Sequence, residues 1–204
     1  MVEQGRQDDA LGCGRAVAVS RSLYVIGAPG TGKTTLMNEV VAALGLRWLP
    51  DEKVWREIWV NPLCDENGVL RGLSFGKARG SFSGTDALSM SALPRALEYI
   101  RETELPDYVL GEGMRLSSPK FLAELDQVAP LTVVYLSASE ETVAERRAGR
   151  EGDKLTSTFV KQARTRAANT AEAMETFGYN VLRFHEQPCE VMVPKVLESF
   201  SGKG

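Results

Sequence analysis

Short apolar runs alternate along this chain with longer segments in which apolar residues recur every three or four positions. "SLYVIG" (22–27) is the first run, and "DYVLGEG" (107–113), "LTVVYL" (131–136) and "YNVLRF" (179–184) follow the same form. Uninterrupted runs of this length suit strands buried on both faces of a parallel sheet. "LRWLP" (46–50) reads as the second strand in chain order, with Asp51 and Glu52 at its end.

Between the strands the spacing is helical. Leu36, Val40 and Leu44 share one face after Lys33, and Gly45 is a natural stop. In "EKVWREIWV", Val54 with Ile58 and Trp55 with Trp59 also stand at helical spacing. Leu93, Leu97 and Ile100 mark a helix that tolerates Pro94 only in its first turn. "KFLAELDQV" follows Ser117, Ser118 and Pro119. Ser139 caps the next helix, with Glu140 and Glu141 where the helix dipole favours carboxylates. A long helix carries Phe159, Ala163, Ala167, Met174 and Phe177 on one side and stops at Gly178, and residues 194–200 form a short closing helix. Residues 61–90 are rich in glycine and polar side chains. Weak alternation around Asn67-Gly68 predicts a hairpin or irregular excursion outside the core. The order predicts an α/β fold, a five-stranded parallel sheet covered by helices on both faces.

Composition narrows this little. A chain of 204 residues buries a core without metal or disulfide, and Cys13, Cys64 and Cys189 have no paired spacing. Reduced thiols and the lack of any apolar run near 18 residues predict a cytoplasmic protein without a membrane partner. The net charge of -3 provides no overall basic field for nucleic acid.

The loop after the first strand carries the clearest chemistry. Gly27, Gly32, Lys33 and Thr34 satisfy G-x-x-x-x-G-K-[ST] between a strand and a helix. Glycines let backbone N–H groups turn inward on phosphate oxygens, and the helix N-terminus favours negative charge. Gly27, Ala28, Gly30, Thr31, Gly32, Lys33, Thr34 and Thr35 are therefore the expected ATP-binding residues, with Lys33 across the β- and γ-phosphates and Thr34 on Mg²⁺. Such a loop serves phosphotransferases, GTPases and motor ATPases. No N-K-x-D stretch follows a later strand, and "YVLGEG" supplies a single acid in a short chain. Elimination leaves a small kinase.

A kinase must exclude water from its donor, and an arginine-bearing lid does so. "ERRAGREGDK" supplies Arg146, Arg147 and Arg150, with Arg146 and Arg150 on one face. Lys161, Arg164 and Arg166 follow, so the lid is expected over about 146–166. Three acids sit near strand ends, where open α/β sheets bind ligands. Glu112 is a candidate for the metal, and Asp51 and Asp86 are candidates for the base. Arg115 follows Glu112 on the same side. His185 and the pair Trp55 and Trp59 read as surface and core residues.

"GAPGTGKTT", "GEGMRL" and "YLSASEETVAERRAGR" together resemble the P-loop kinases of the nucleoside and nucleotide kinase superfamily, over about 23–184. That resemblance implies ATP with Mg²⁺, the lid, and an acceptor-binding excursion, here about 53–91 of a single domain at 22–204 behind a polar tail at 1–21. More narrowly, "RGSFSGTDALSMSALPRALEYI" and "VLGEGMRL" resemble a group of phage and actinobacterial P-loop kinases. Related phage enzymes phosphorylate the hydroxymethyl group of 5-hydroxymethyl-deoxyuridine within DNA. The resemblance implies that Arg79, Asp86, Glu112 and Arg115 line the acceptor side, and that the acceptor is this base in phage DNA. The absence of an acceptor-phosphate arginine motif after the second strand separates the chain from nucleoside monophosphate kinases. A free nucleoside or nucleotide acceptor, and nucleotide binding without transfer, are the alternatives; the oligomeric state stays open.

Overall fold

Strand β1 (Arg21–Gly27) is buried from its second residue onward and lies at the centre of the sheet. The computed structural model describes residues 20–54, 58–77, 84–149 and 155–201. β6 (Tyr108–Glu112) and β7 (Leu131–Ser137) pair with β1 in parallel on either side. β8 (Val181–His185) continues the parallel arrangement beyond β7, and β5 (Leu70–Phe75) beyond β6. Past β5 the sheet turns antiparallel. β4 (Ile58–Cys64) pairs with β5, and β2 (Arg47–Trp48) and β3 (Glu52–Val54) both pair with β4 at the edge. The sheet is thus mixed and eight-stranded, wider than the five-stranded parallel sheet the spacing predicts.

Side chains alternate across β1 with the strand period of two. Leu23 and Val25 face α1 (Lys33–Ala43) and α6 (Cys189–Phe200), packing with Leu36, Val40, Met192 and Val196. Tyr24 and Ile26 face α2 (Ala92–Glu102), α3 (Pro119–Val128) and α5 (Ser157–Thr176), among Phe75, Phe121, Ala171 and Met174. Both faces of the sheet are covered. α4 (Glu140–Ala148) starts where Ser139 accepts the Thr142 N–H, as its cap sequence predicts. No helix among the described residues is long and apolar enough to cross a membrane.

The largest departures from the sequence reading fall between residues 46 and 75. "LRWLP" yields only two antiparallel edge residues, and β5 takes the position beside β6. "EKVWREIWV" forms β3 and β4 instead of a helix, with Glu52 opposite Val60 and Val54 opposite Ile58; Trp55 lies outside the described residues. Ile58 and Val60 are both buried two residues apart, the strand period, and valine and tryptophan fit a pleated surface well. The hairpin does turn at Asn67-Gly68, where the Asp65 carboxylate accepts the Asn67 and Val69 N–H groups. Its second arm is core, however: Leu73 and Phe75 are buried against the helices. Two smaller corrections concern helices. α5 buries Val160, Ala163, Ala167, Ala171 and Met174 but leaves Phe159 and Phe177 exposed. α6 starts at Cys189, with Pro194 inside it.

Candidate active site

At the C-terminal ends of the strands, β1 has β6 on one side and β7 on the other, and the chain leaves in opposite directions. Open α/β sheets bind ligands at such a switch point. The phosphate-type loop begins there. A Cβ on Gly27 would stand 2.5 Å from the Leu136 carbonyl oxygen and 2.7 Å from Thr31 Oγ1, so only glycine fits this close approach. Gly30 and Gly32 have φ of 91° and 96°, and Gly32 caps α1 without a side chain. Thr31 Oγ1 and Lys33 Nζ both donate to the Ala28 carbonyl, at 2.9 and 3.1 Å. The loop is therefore closed on itself, with the lysine ammonium folded over Ala28. Thr35, one residue further on, is exposed.

Thr34 Oγ1 donates to Glu112 Oε1 across 2.7 Å, which joins the start of α1 to the end of β6. Glu112 is only 5% exposed. A hydroxyl and a carboxylate are the oxygen donors that Mg²⁺ takes beside substrate phosphates and water. The described residues hold no group of three or more His, Cys, Asp or Glu side chains able to bind a metal. The donor set thus fits a hard cation shared with a phosphate chain and does not form an all-protein cage.

Residues 84–86 clasp Glu112. A Cβ on Gly84 would meet Glu112 Cγ at 2.5 Å. Thr85, fully buried, donates from Oγ1 to the Glu112 carbonyl (2.8 Å) and lies 3.0 Å from the Tyr24 hydroxyl. Burial pushes the Tyr24 phenol far above its ordinary range, so it is a permanent donor. Asp86 Oδ1 accepts the Met114 N–H at 2.7 Å, and Gly113 lies against the same carboxylate. Backbone bonds between Lys77 and Gly84 bring the two ends of the intervening loop together. The turn at residues 85–86 is thereby bonded to the backbone of residues 112–114, and Thr34 to the Glu112 carboxylate. Arg115 bonds through Nη1 to Met90 Sδ, and its Nε is buried without a hydrogen-bond partner.

From the other side α4 leans on the loop. Val143 and Arg147 pack within 3.3 Å of the Cβ that Gly30 lacks, and Arg146 Nη1 stands 3.5 Å from the Gly30 carbonyl oxygen. Arg164 points elsewhere. It bonds Glu140 Oε1 (3.1 Å) and the Ala138 carbonyl (3.3 Å), tying α5 to α4. Lys161 and Arg166 are exposed. Asp51 accepts the Asn61 amide at the head of β3. With β4, β5 and β6 between it and β1, it lies about 19 Å across the sheet, at about 4.8 Å per strand. The structure thus separates Asp51 from the loop. His185 is exposed and bonds Ser137 Oγ at 3.0 Å. Arg79 and Arg150 lie outside the described residues. The sequence reading passed over Tyr24 and Thr85. Their signals are faint: a hydroxyl-bearing ring within an aliphatic strand, and a threonine beside Asp86.

The loop, the acid pair and the switch-point position define a P-loop phosphotransferase. The chain belongs to the family described as P-loop Nucleotide Kinase3, which matches residues 18–192, and it is a P-loop kinase. Nucleotide binding without transfer, one of the alternatives above, gives way to that membership. No curated protein sequence matches the chain. Among solved structures, a gluconokinase from Sinorhizobium meliloti 1021 is similar at a TM-score of 0.51 and 18% identity, over 90% of this chain and 93% of that one. A sugar kinase from Janibacter sp. HTCC2649 gives 0.50 and 15%, over 89% and 94%. At these identities the likeness concerns the fold alone.

Proposed function

We propose that the protein transfers the γ-phosphate of ATP to a hydroxyl of a nucleotide-type acceptor, in particular the hydroxymethyl group of 5-hydroxymethyluracil in DNA. The observation that supports the reading is the clasp: Thr85 donates to the Glu112 carbonyl, the adjoining Asp86 carboxylate accepts the Met114 N–H two residues beyond Glu112, and Glu112 itself pairs with Thr34. A donor-side cation corner and a second acid next to it are what transfer to a hydroxyl needs.

In this reading backbone N–H groups of residues 27–35 and Lys33 hold the donor phosphates, and Arg146 adds charge from α4. Thr34 and Glu112 would hold Mg²⁺, which would neutralise charge on the phosphate oxygens. Asp86 uses the carboxylate oxygen that Met114 leaves over to accept the acceptor hydroxyl proton. The acceptor oxygen forms a bond to the γ-phosphorus, the bridging P–O bond to the β-phosphate breaks, and ADP leaves. Arg115 and Arg79 serve the acceptor. Residues 53–91 form the acceptor side and 146–166 the lid of one domain.

The DNA acceptor follows from the resemblance of "RGSFSGTDALSMSALPRALEYI" and "VLGEGMRL" to kinases of that kind. A free nucleoside or nucleoside monophosphate is the second reading, favoured by the net charge of -3. Radiolabelled ATP offered with free nucleosides and nucleotides, plain DNA and 5-hydroxymethyluracil DNA separates them. Label in the modified DNA alone is the expected result; label only in small molecules selects the second reading, and no label with any acceptor overturns transfer.

A further inference from the structure

Glu186, between β8 and α6, is the only non-glycine residue with a positive φ (50°) among the described residues. A glutamate is disfavoured in that left-handed region, where glycine is the usual occupant. Such strain persists only where surrounding contacts hold it, and it gathers at sites where geometry matters. The contacts here lie at the junction of β7 and α4. The Glu186 N–H donates to the Ser137 carbonyl at 3.1 Å, and Glu186 Oε1 accepts the Ser139 N–H at 2.7 Å. Arg164 takes the same junction from α5, through the Ala138 carbonyl and the Glu140 carboxylate. Residues 137–140 are thus gripped from two sides, and Glu186 is the grip that is made at the expense of backbone strain.

Ser139 passes this grip on to the helix. Its Oγ accepts the Thr142 N–H and its carbonyl accepts the Val143 N–H, which together start α4. Val143 then packs against Gly30 of the donor loop, with Arg147 beside it and Arg146 Nη1 3.5 Å from the Gly30 carbonyl oxygen. The route from Glu186 to the phosphate loop therefore runs through Ser139 and Val143. The Glu186 carboxylate is charged at any working pH, because the Ser139 N–H draws its pKa down to about 2. It also lies where the N-terminus of α4 favours negative charge.

We infer that Glu186 is a positioning residue for phosphoryl transfer: by holding Ser139 it fixes the tilt of α4 and so the placement of Arg146 over the donor loop. The inference rests on the reading of Arg146 as a cation of the lid and deepens it. Strain and tether are separable, because glycine adopts the same φ freely but carries no carboxylate.

Kinetics and calorimetry of Glu186→Gly and Glu186→Gln, each also combined with Arg146→Ala, test the inference. Glu186→Gly should keep Tm close to that of the native protein, since backbone relief offsets the lost bond. Its kcat should nevertheless fall about tenfold, part of the about 10²-fold that a 1 Å misplacement can cost. KM for the acceptor should not change. Glu186→Gln keeps an oxygen to accept the Ser139 N–H and should keep most of kcat. In the Arg146→Ala protein, Glu186→Gly should cost little further, as expected for residues coupled in one network. Hydrogen exchange without nucleotide reads the tether apart from turnover: the amides of residues 139–143 should exchange faster in Glu186→Gly and near the native rate in Glu186→Gln. Unchanged kcat or unchanged exchange in a folded Glu186→Gly protein overturns the inference, as does an equal loss of kcat with and without Arg146. If Arg146→Ala alone leaves kcat intact, the lid reading fails and takes the inference with it. A loss with Arg146→Ala and none with Glu186→Gly refutes the inference alone.

Discussion

Thr85→Val removes one hydroxyl from the middle of the clasp and leaves the shape of the side chain almost unchanged. The expected effect follows from a count of hydrogens. A hydroxyl carries one proton, and Thr85 Oγ1 spends it on the Glu112 carbonyl. The 3.0 Å contact with Tyr24 must therefore be a donation from the phenol. A directed pair results: Tyr24 to Thr85, and Thr85 to Glu112. Valine takes the donor from the Glu112 carbonyl and the acceptor from the Tyr24 hydroxyl, in a region where both residues are fully buried. Losing a buried partner costs about 1–3 kcal/mol per group, so the sum over the two groups is about 2–6 kcal/mol. For a domain of this size that lowers Tm by about 4–24 °C in scanning calorimetry. Glu112 also loses one restraint on its backbone. A shift of about 1 Å in a positioning group can cost about 10²-fold in rate, so kcat should fall further than stability alone explains. Thr85→Ser keeps the hydroxyl and should restore both, while Tyr24→Phe keeps the bond to Glu112 and should lower Tm more than kcat. A folded Thr85→Val protein with unchanged kcat and Tm refutes the clasp. Unchanged kcat with lowered Tm reduces it to a structural contact.

Four further substitutions test the site, and a fifth tests the fold. Lys33→Ala should abolish transfer with little change in Tm, because the lysine stands on a partly exposed loop and works on the phosphates; turnover is the measurement, and normal turnover contradicts the kinase chemistry. Arg146→Ala should lower kcat by about 10²–10³-fold, the usual loss for a transition-state donor, and leave Tm alone because the side chain is exposed. Asp86→Asn should impair transfer with ATP affinity near normal, whereas Glu112→Gln should raise the Mg²⁺ concentration needed for half-maximal rate. Glu186, whose carboxylate accepts the Ser139 N–H, has its pKa lowered from the ordinary 4.5 to about 2. A depressed carboxylate stabilises the fold fully above its unfolded pKa and loses that contribution as pH falls through the folded one. The Tm difference between the protein and Glu186→Gln should therefore be largest above pH 4.5 and vanish toward pH 2.

The donor half of the site was legible because its constraints are local. Gly27, Gly32, Lys33 and Thr34 lie within eight residues of chain; Gly32 answers to its own positive φ, and Gly27 to the approach of Thr31 four residues on as well as to that of Leu136 across the sheet. The acceptor half was hidden by ambiguity of period. Val54 and Ile58 fit a helix at four residues, yet Ile58 and Val60 also fit a strand at two, and only the pairing with β3 and β5 decides. Glycine misled in the same region. Gly72 makes "LRGLSF" look like a loop, but a Cβ there would stand 3.0 Å from both Tyr108 Cβ and its carbonyl oxygen. The glycine is what lets β5 close on β6. Gly76 and Gly84 likewise read as loop residues, although a Cβ on Gly76 would be 1.9 Å from the Gly84 carbonyl oxygen. These glycines draw chain ends together and build the clasp, which no window of sequence displays.

The two halves also differ in how they should respond to change. The donor side is one contiguous loop, so a substitution there acts on the phosphates common to every turnover and should reduce transfer to all acceptors alike. On the reading proposed above, the acceptor side is assembled from β3, β4, residues 87–89 and α2, which line one cavity. On that reading, substitutions along the cavity should change which acceptor is used before they change how fast phosphate moves. Thr85 and Asp86 stand between these groups, bonded to Glu112 and Met114 on the metal side and followed directly by Ala87 and Leu88 on the cavity side. A ligand that shifts residues 87–89 must move the same 3₁₀ turn (Thr85–Ala87) that holds the Glu112 carbonyl. On that reading, occupancy of the cavity lined by residues 87–89 and alignment of Glu112 would be linked through the hydrogen bonds of Thr85 and Asp86. That link supplies a physical route by which a correct acceptor completes the corner and an incorrect one leaves it misaligned.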